Sequence, residues 1–220
     1  MSTQHILNTG ILPKNGKPFA VILQSEKNIE DILALQALVL SGLTEAEKCF
    51  ILPKSRAFFE KHLAAGNPVL GIVSEGQLIA QSIVVNPTKE RPSTGMVDMR
   101  LKAKPEKVTL IQGIIVHPGY RGNALMSVMV DEWLEIAKKQ GRTHAIAEVA
   151  TDNEYSLAVF LKEGLTIHST GTDPADGTKV FNIHAKVKPL IRKRLSASFN
   201  SKSGKSSPKI QAKKSKGFQP

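Results

Sequence analysis

An α/β fold on a mixed sheet is what the sequence predicts, and three observations predict it. Short β-rich apolar runs alternate with longer segments whose apolar residues recur at helical spacing. Two of the runs, residues 69–73 and 78–85, flank Ser-Glu-Gly-Gln, a hairpin signal. The chain has 220 residues, 41% of them apolar and 22% charged, enough to bury a sizeable core in one domain, alone or with an appendage.

Taken in order, Pro18 and Phe19 lead into the apolar run 20–23, a first strand. A helix follows, in which Ile29, Ile32, Leu33 and Leu40 keep close to one face. Residues 54–64 read as a second helix, and the hairpin comes next. Residues 86–106 hold three prolines and read as a long connection. Residues 108–116 form a strongly apolar strand interrupted by Gly113, which marks either a bulge or a close packing contact. Met126, Met129, Val130, Trp133 and Ala137 then repeat at helical spacing until Gly141 closes that helix. Residues 144–150 are a strand, and Asn153 is placed to cap a helix that Gly164 ends. Residues 165–170 and 179–187 supply the last two strands. No internal repeat is present.

The charge is uneven. The formal net charge is +11, yet residues 1–185 carry 19 basic and 19 acidic residues. The other eleven Lys and Arg lie in residues 186–220, which contain no Asp or Glu. A neutral body with a basic tail is therefore expected, not a basic enzyme surface. From about Ser196 the composition turns to Ser, Lys, Gly and Gln, too polar to offset its ordering entropy, so the tail is expected to be disordered. Its Ser-Gly-Lys-Ser-Ser stretch (203–207) is not a phosphate loop, because the glycine needed five residues before Gly204 is Phe199. No apolar run approaches the roughly 20 residues of a membrane span. The start, MSTQHILNTG, lacks the basic-then-apolar pattern of a secretory signal. Cys49 is the sole cysteine, which fits a reducing compartment, so a cytoplasmic location is expected. No His, Cys, Asp or Glu set has metal-ligand spacing, and no metal is expected. His117, one of six scattered histidines, is expected at the surface.

The chemistry is concentrated after residue 116. Val116-His-Pro-Gly-Tyr-Arg-Gly-Asn-Ala-Leu-Met ends a strand, turns and opens a helix. Such a turn points unpaired N–H groups at one spot, and the helix dipole adds positive charge there, a ready site for a pyrophosphate. Gly122 and Ala124 allow close approach, and Arg121 adds a cation. The stretch resembles the acetyl-CoA loop of the GNAT superfamily of N-acetyltransferases, V-x-P-x-x-R-G-x-G-x-G/A. Val116, Pro118, Arg121 and Gly122 match; Ala124 and Met126 depart. Met126 would crowd a phosphate unless it turns into the core. A second family pattern, N-x-x-A-x-x-x-Y before a Gly-aromatic pair, reads here Asn153, Ser156, Phe160 and Gly164-Leu165.

The resemblance spans about residues 19–187. It implies a mostly antiparallel mixed sheet flanked by helices, with 1–18 as an extension and 188–220 as the tail. It implies acetyl-CoA as cosubstrate, held by Ile114, Ile115 and Val116 at the strand end. Arg121, Gly122, Asn123, Ala124, Leu125, Met126 and Ser127 would hold it in the loop, and Asn153, Ser156 and Phe160 on the next helix. In this family the strand splays from its neighbour, and N–H groups near residues 114–116 then bind the developing oxyanion. Asn153 bonds the cosubstrate arm, caps its helix, or does both.

Acetyl transfer needs a neutral amine. At pH 7 deprotonation costs about 4.6 kcal/mol for a lysine amine and about 1 kcal/mol for an α-amine. Glu148-Val-Ala-Thr-Asp-Asn153 resembles the E-V-x-x-x-N of ribosomal-protein N-terminal acetyltransferases, where that Glu is the base. Glu148 is either a partly desolvated base of raised pKa or a solvent-facing strand carboxylate. Phe160 stands where the family's tyrosine protonates the leaving thiolate. The expected function is N-acetylation of an amine-bearing acceptor: a protein N-terminus, a lysine or a small amine. A binding module on the same fold, without turnover, is the alternative. The 186–220 tail is open to an anionic partner, nucleic acid or a membrane surface, or is only a solvated appendage.

Overall fold

The computed structural model describes residues 5–187; the basic tail, with the expectations placed on it, lies outside the described residues. Eight strands form one sheet in the order β1-β2-β3-β4-β5-β6-β8-β7. The strands are β1 (Ile6–Ile11), β2 (Pro18–Leu23), β3 (Val69–Ser74), β4 (Gln77–Val85), β5 (Val108–Val116), β6 (His144–Ala150), β7 (Thr166–Thr172) and β8 (Lys179–Lys186). Every neighbouring pair is antiparallel except β5 and β6. The fold is thus the mixed, mostly antiparallel sheet that was expected.

Two elements were not anticipated. β1 lies in the stretch read as an extension and pairs with β2, its residues exposed or only half-buried. A strand with no buried face has no apolar alternation for sequence reading to detect. The connection 86–106 contains a short helix, α3 (Thr94–Asp98), started by the Ser93 hydroxyl accepting from the Met96 N–H at 3.2 Å. Five residues cannot show a helical period. The helices α1 (Ile29–Ser41), α2 (Arg56–Ala64), α4 (Leu125–Lys139) and α5 (Glu154–Lys162) follow the sequence expectation closely.

The sheet is covered on both faces. On one face α4 and α5 pack over the largest core, centred on Trp133, Met129 and Val130, all with no exposed surface. The Trp133 ring N–H donates to the Thr109 hydroxyl at 3.1 Å, so its one polar atom is satisfied. On the other face α1 and α2 lay Ile29, Ile32, Leu35, Val39 and Phe59 on Val69, Leu78, Ile83 and Ile115. Leu33, expected on that stripe, sits at its margin. Farther along, α3 sets Met96 and Met99 on Val108, Leu110 and Ile146.

β5 settles the question left at Gly113. Gln81 faces Ile115 and Ile83 faces Gln112, so Gly113 and Ile114 together oppose Ser82, which is a bulge. Gly113 has φ 59°, a conformation that a β-branched residue at this position would not tolerate. The extra residue turns Ile114 toward the α4 core and Ile115 toward the α1 and α2 core. β5 and β6 pair only from Val108–His144 to Leu110–Ile146. Beyond that point the two strands part, and each leaves one backbone edge unpaired.

Candidate functional site

The gap between the carboxyl halves of β5 and β6 opens at the loop that starts α4. His117 Nδ1 accepts from the Gly119 N–H at 3.0 Å and shapes the turn Pro118–Tyr120. Gly122 then adopts φ 77° and Ala124 φ 57°. Ala124 is the helix N-cap in a left-handed conformation that glycine takes without cost and alanine does not. Among the described residues, the backbone N–H groups of Gly122, Asn123, Ala124, Leu125, Met126 and Ser127 meet no acceptor in the protein. Six free donors at a helix start, with the dipole behind them, make a site for an anion with several oxygens.

Side chains around this crown divide into binders and builders. Arg121 is exposed beside it. Met126 is half-buried against the large core, out of the way of a ligand at the crown. Leu125 is buried in that core. Asn123 is 4% exposed, and both ends of its amide are engaged: Oδ1 accepts from the Lys14 N–H and Nδ2 donates to the Tyr120 carbonyl, both at 2.9 Å. Asn123 therefore fastens the loop to the β1–β2 turn. That turn brings a residue which sequence reasoning missed. A Cβ on Gly122 would stand 2.5 Å from Lys14 Nζ, so the ammonium lies directly over the crown. Lys14 is exposed and, among the described residues, has no carboxylate partner, whereas Lys17 in the same turn is paired to Glu75. Nothing in the sequence links position 14 to position 122. The pairing of β1 with β2 makes that link.

Glu148 stands on β6, on the far side of the gap, facing α3. Its outer edge is open to solvent while Gly95 and Asn182 crowd its carboxyl end. Burial is the first cause that raises its pKa, followed by the charges of Asp173 and Asp98. The Gly95 N–H pulls the other way. Glu148 is thus an exposed strand residue whose carboxyl end is crowded by α3. Its neighbours in sequence, Ala147 and Val149, do not desolvate it; they point into the opposite core. The apposed α3 does.

The remaining expected residues are placed as follows. Asn153 caps α5, its Oδ1 accepting from the Ser156 N–H at 3.1 Å. Phe160 is 4% exposed and belongs to the large core. Ile114 and Val116 turn their side chains toward the large core and Ile115 toward the other, leaving only their backbone edge toward the gap. An apolar concavity also lies on β1–β3, lined by Ile11, Phe19 and Val73, without a titratable side chain and at the other end of the sheet.

The sequence model of the acetyltransferase (GNAT) family matches residues 43–165, more than half of the chain. The chain matches no curated protein. Solved structures with the same fold include an N-acetyltransferase from Staphylococcus aureus Mu50, 16% identical, TM-score 0.59, with 77% of this chain and 99% of that one covered. The yncA protein of Salmonella typhimurium, solved with its cofactor acetyl-CoA, is 13% identical, TM-score 0.57, with 79% and 96% covered. A ribosomal-protein-alanine N-acetyltransferase from Brucella melitensis is 17% identical, TM-score 0.55, with 76% and 98% covered. At these identities the likeness is one of fold.

Proposed function

This chain belongs to the acetyltransferase (GNAT) family, and from that premise we propose that it transfers the acetyl group of acetyl-CoA to a primary amine, with Glu148 as base. The observation that carries the reading is the crown of six unbonded N–H groups at residues 122–127, set beside the unpaired ends of β5 and β6. The crown suits a pyrophosphate, and Lys14 and Arg121 add two cations to it. The free backbone edge of β5 beyond the Gly113 bulge suits an extended amide arm, which bonds as a strand would. Bound there, acetyl-CoA supplies an activated acyl group and a thiolate leaving group.

Residues 19–187 form the acetyltransferase domain in this reading, with β1 and its turn contributing Lys14. The lone cysteine, Cys49, suits a reducing cytoplasm. Glu148 takes the proton that the attacking amine must lose, and its raised pKa brings it nearer to the working pH of a base. Phe160 offers no proton to the departing sulfur, and Tyr155 is 91% exposed. A thiol of pKa about 8.5 leaves as the thiolate without help, at some cost in rate. The non-catalytic alternative keeps the crown and drops Glu148.

Two measurements test the proposal. Acetyl-CoA at 100 times its dissociation constant should stabilise the fold by about 2.7 kcal/mol, raising Tm by about 5–10 °C. An unchanged Tm removes the cosubstrate. Glu148→Gln should then lower turnover by about 10²–10⁴ with acetyl-CoA affinity intact. Thioester binding without consumption across an amine panel would leave the binding module standing instead.

A further inference from the structure

Among the described residues β1 is the outer strand of the sheet, and it pairs with β2 alone. The phase of that pairing is fixed at the turn, where the Leu12 N–H donates to the Lys17 carbonyl at 2.8 Å. Hydrogen-bonded pairs alternate along an antiparallel ladder, so Gly10 and Asn8 also bond inward to β2. Thr9 and Ile11 then direct their backbone N–H and C=O groups outward. Pro18 stands opposite Ile11 and has no N–H to give, which agrees with that phase. The Thr9 N–H is engaged by Asn8 Oδ1 at 2.8 Å. The open edge is therefore made by the Ile11 N–H and the carbonyls of Thr9 and Ile11.

A bulge in β1 gathers its exposed side chains on one face. The register shifts between Ile6 and Asn8, so Ile6, Thr9 and Ile11 stand beside Ile22, Ala20 and Pro18. Leu7 turns to the α4 core on the opposite face. The core under α1 and α2 takes residues from β3, β4 and β5 and, among the described residues, none from β1 or β2. Ile6 is left 57% exposed and Ile11 60%, although both are large and apolar. Beside Ile11 lies a hollow floored by Thr9, Pro18, Ala20 and Val73. Neither β1 nor this floor contains a charged residue, and β1 contains no proline. A sheet edge without charge, proline or cover is ready to pair with another strand.

The patch is complementary to itself. An apolar knob, Ile11, and an apolar hollow sit side by side on it. A twofold axis normal to the sheet through Gly10 sets Thr9 of one copy opposite Ile11 of the other. Both residues direct their backbone outward, so the Ile11 N–H of each copy meets the Thr9 carbonyl of the other. Their side chains share one face, as opposite residues in a ladder must. The same axis carries the two β1–β2 turns, with Lys14 and Lys17, to opposite ends of the joined strands, so like charges do not meet.

We propose that the chain forms a twofold dimer by pairing the β1 edges of two copies, with Ile11 of each copy seated at the hollow beside Thr9 of the other. The strand that pairs is the one whose turn sets Lys14 over the crown, so the interface and the candidate site share an element. One short strand and one apolar contact on each side make an interface below about 1,200 Å² in total, a size typical of weak association. A dissociation constant of about 1–100 µM is expected.

Sedimentation equilibrium of the whole protein between about 1 and 300 µM spans that constant on both sides. The mass should rise from one chain to two. Ile11→Lys puts a charge on the edge strand and should weaken the dimer about 10-fold or more. Since Ile11 is largely exposed, Tm should stay within about 2 °C. Tyr155→Lys, at a 91% exposed position on α5 over the other face of the sheet, should dimerise like wild type. Amide exchange of the unaltered chain gives a second reading, which holds even if Ile11→Lys fails to fold. The Ile11 N–H should exchange about 10-fold more slowly at the top of the concentration range than at the bottom. A mass of one chain at every concentration overturns the proposal, and so does a folded Ile11→Lys variant that dimerises as tightly as wild type. Protection of the Ile11 N–H that does not change with concentration, in a chain of monomer mass, assigns the edge to another segment of the same chain and overturns it as well.

Discussion

Replacing Gly95 by alanine separates chemistry from folding at this site. The new Cβ would stand 2.7 Å from Glu148 Oε1, and ordinary contact begins at 3.4 Å. Since the α3 backbone is fixed by Met96 and Met99 in their core, the carboxylate must give way by about 0.7 Å. Displacements of this size at a reacting group cost about 10–10² in rate. Gly95 lies inside a helix without positive φ, so alanine should raise helix stability by up to about 1 kcal/mol. The expected variant is thus as stable as wild type or slightly more so, binds acetyl-CoA normally, and turns over about 10–10² more slowly. Stopped assays of thioester consumption beside a thermal melt read both quantities. A full kcat in Gly95→Ala, with Glu148→Gln strongly impaired, would show that the position of the carboxylate is not what α3 controls. Full activity in both would remove Glu148 from the mechanism.

Three further outcomes follow from the same geometry. Because burial and like charges raise the pKa of Glu148, the folded state holds its proton to higher pH than the unfolded chain does. That stability is complete below about pH 4.3, the ordinary glutamate value, and is lost as pH rises through the folded pKa. Glu148→Gln should therefore raise Tm at pH 7, and the gain should vanish near pH 4; an equal gain at both pH values contradicts the assignment. Lys14→Ala should weaken acetyl-CoA binding by about 3–10-fold at low salt and by less at 0.5 M salt, since the ammonium is exposed and screened. An unchanged dissociation constant would detach the β1–β2 turn from the site. Ala124→Gly relieves a left-handed alanine and should raise Tm by about 1–4 °C without altering turnover.

The sequence by itself determined the elements whose periodicity spans a buried face, and the one loop whose chemistry is local. Residues 116–127 form a contiguous strand, turn and helix, so the crown of N–H groups was legible from their order. Glu148 was legible as a candidate only through the resemblance of residues 148–153 to a family pattern. The Gly113 bulge was legible only as one of two alternatives, because the choice depended on the register of β4 against β5. Phe160 reads the same as a core residue and as a pocket residue, and only packing under α5 decides between them.

The tertiary structure decided everything that depends on residues distant in sequence. The β1–β2 turn delivers Lys14 to Gly122 across more than a hundred residues. The short helix α3, too brief to have a period, carries Gly95 and Asp98 over Glu148. The pairing of β6 with β8 sets Asn182 opposite Glu148. A carboxylate's pKa is a property of the packed surroundings. The residues responsible here come from α3, β6, β8 and the end of β7, four segments whose adjacency no local pattern encodes.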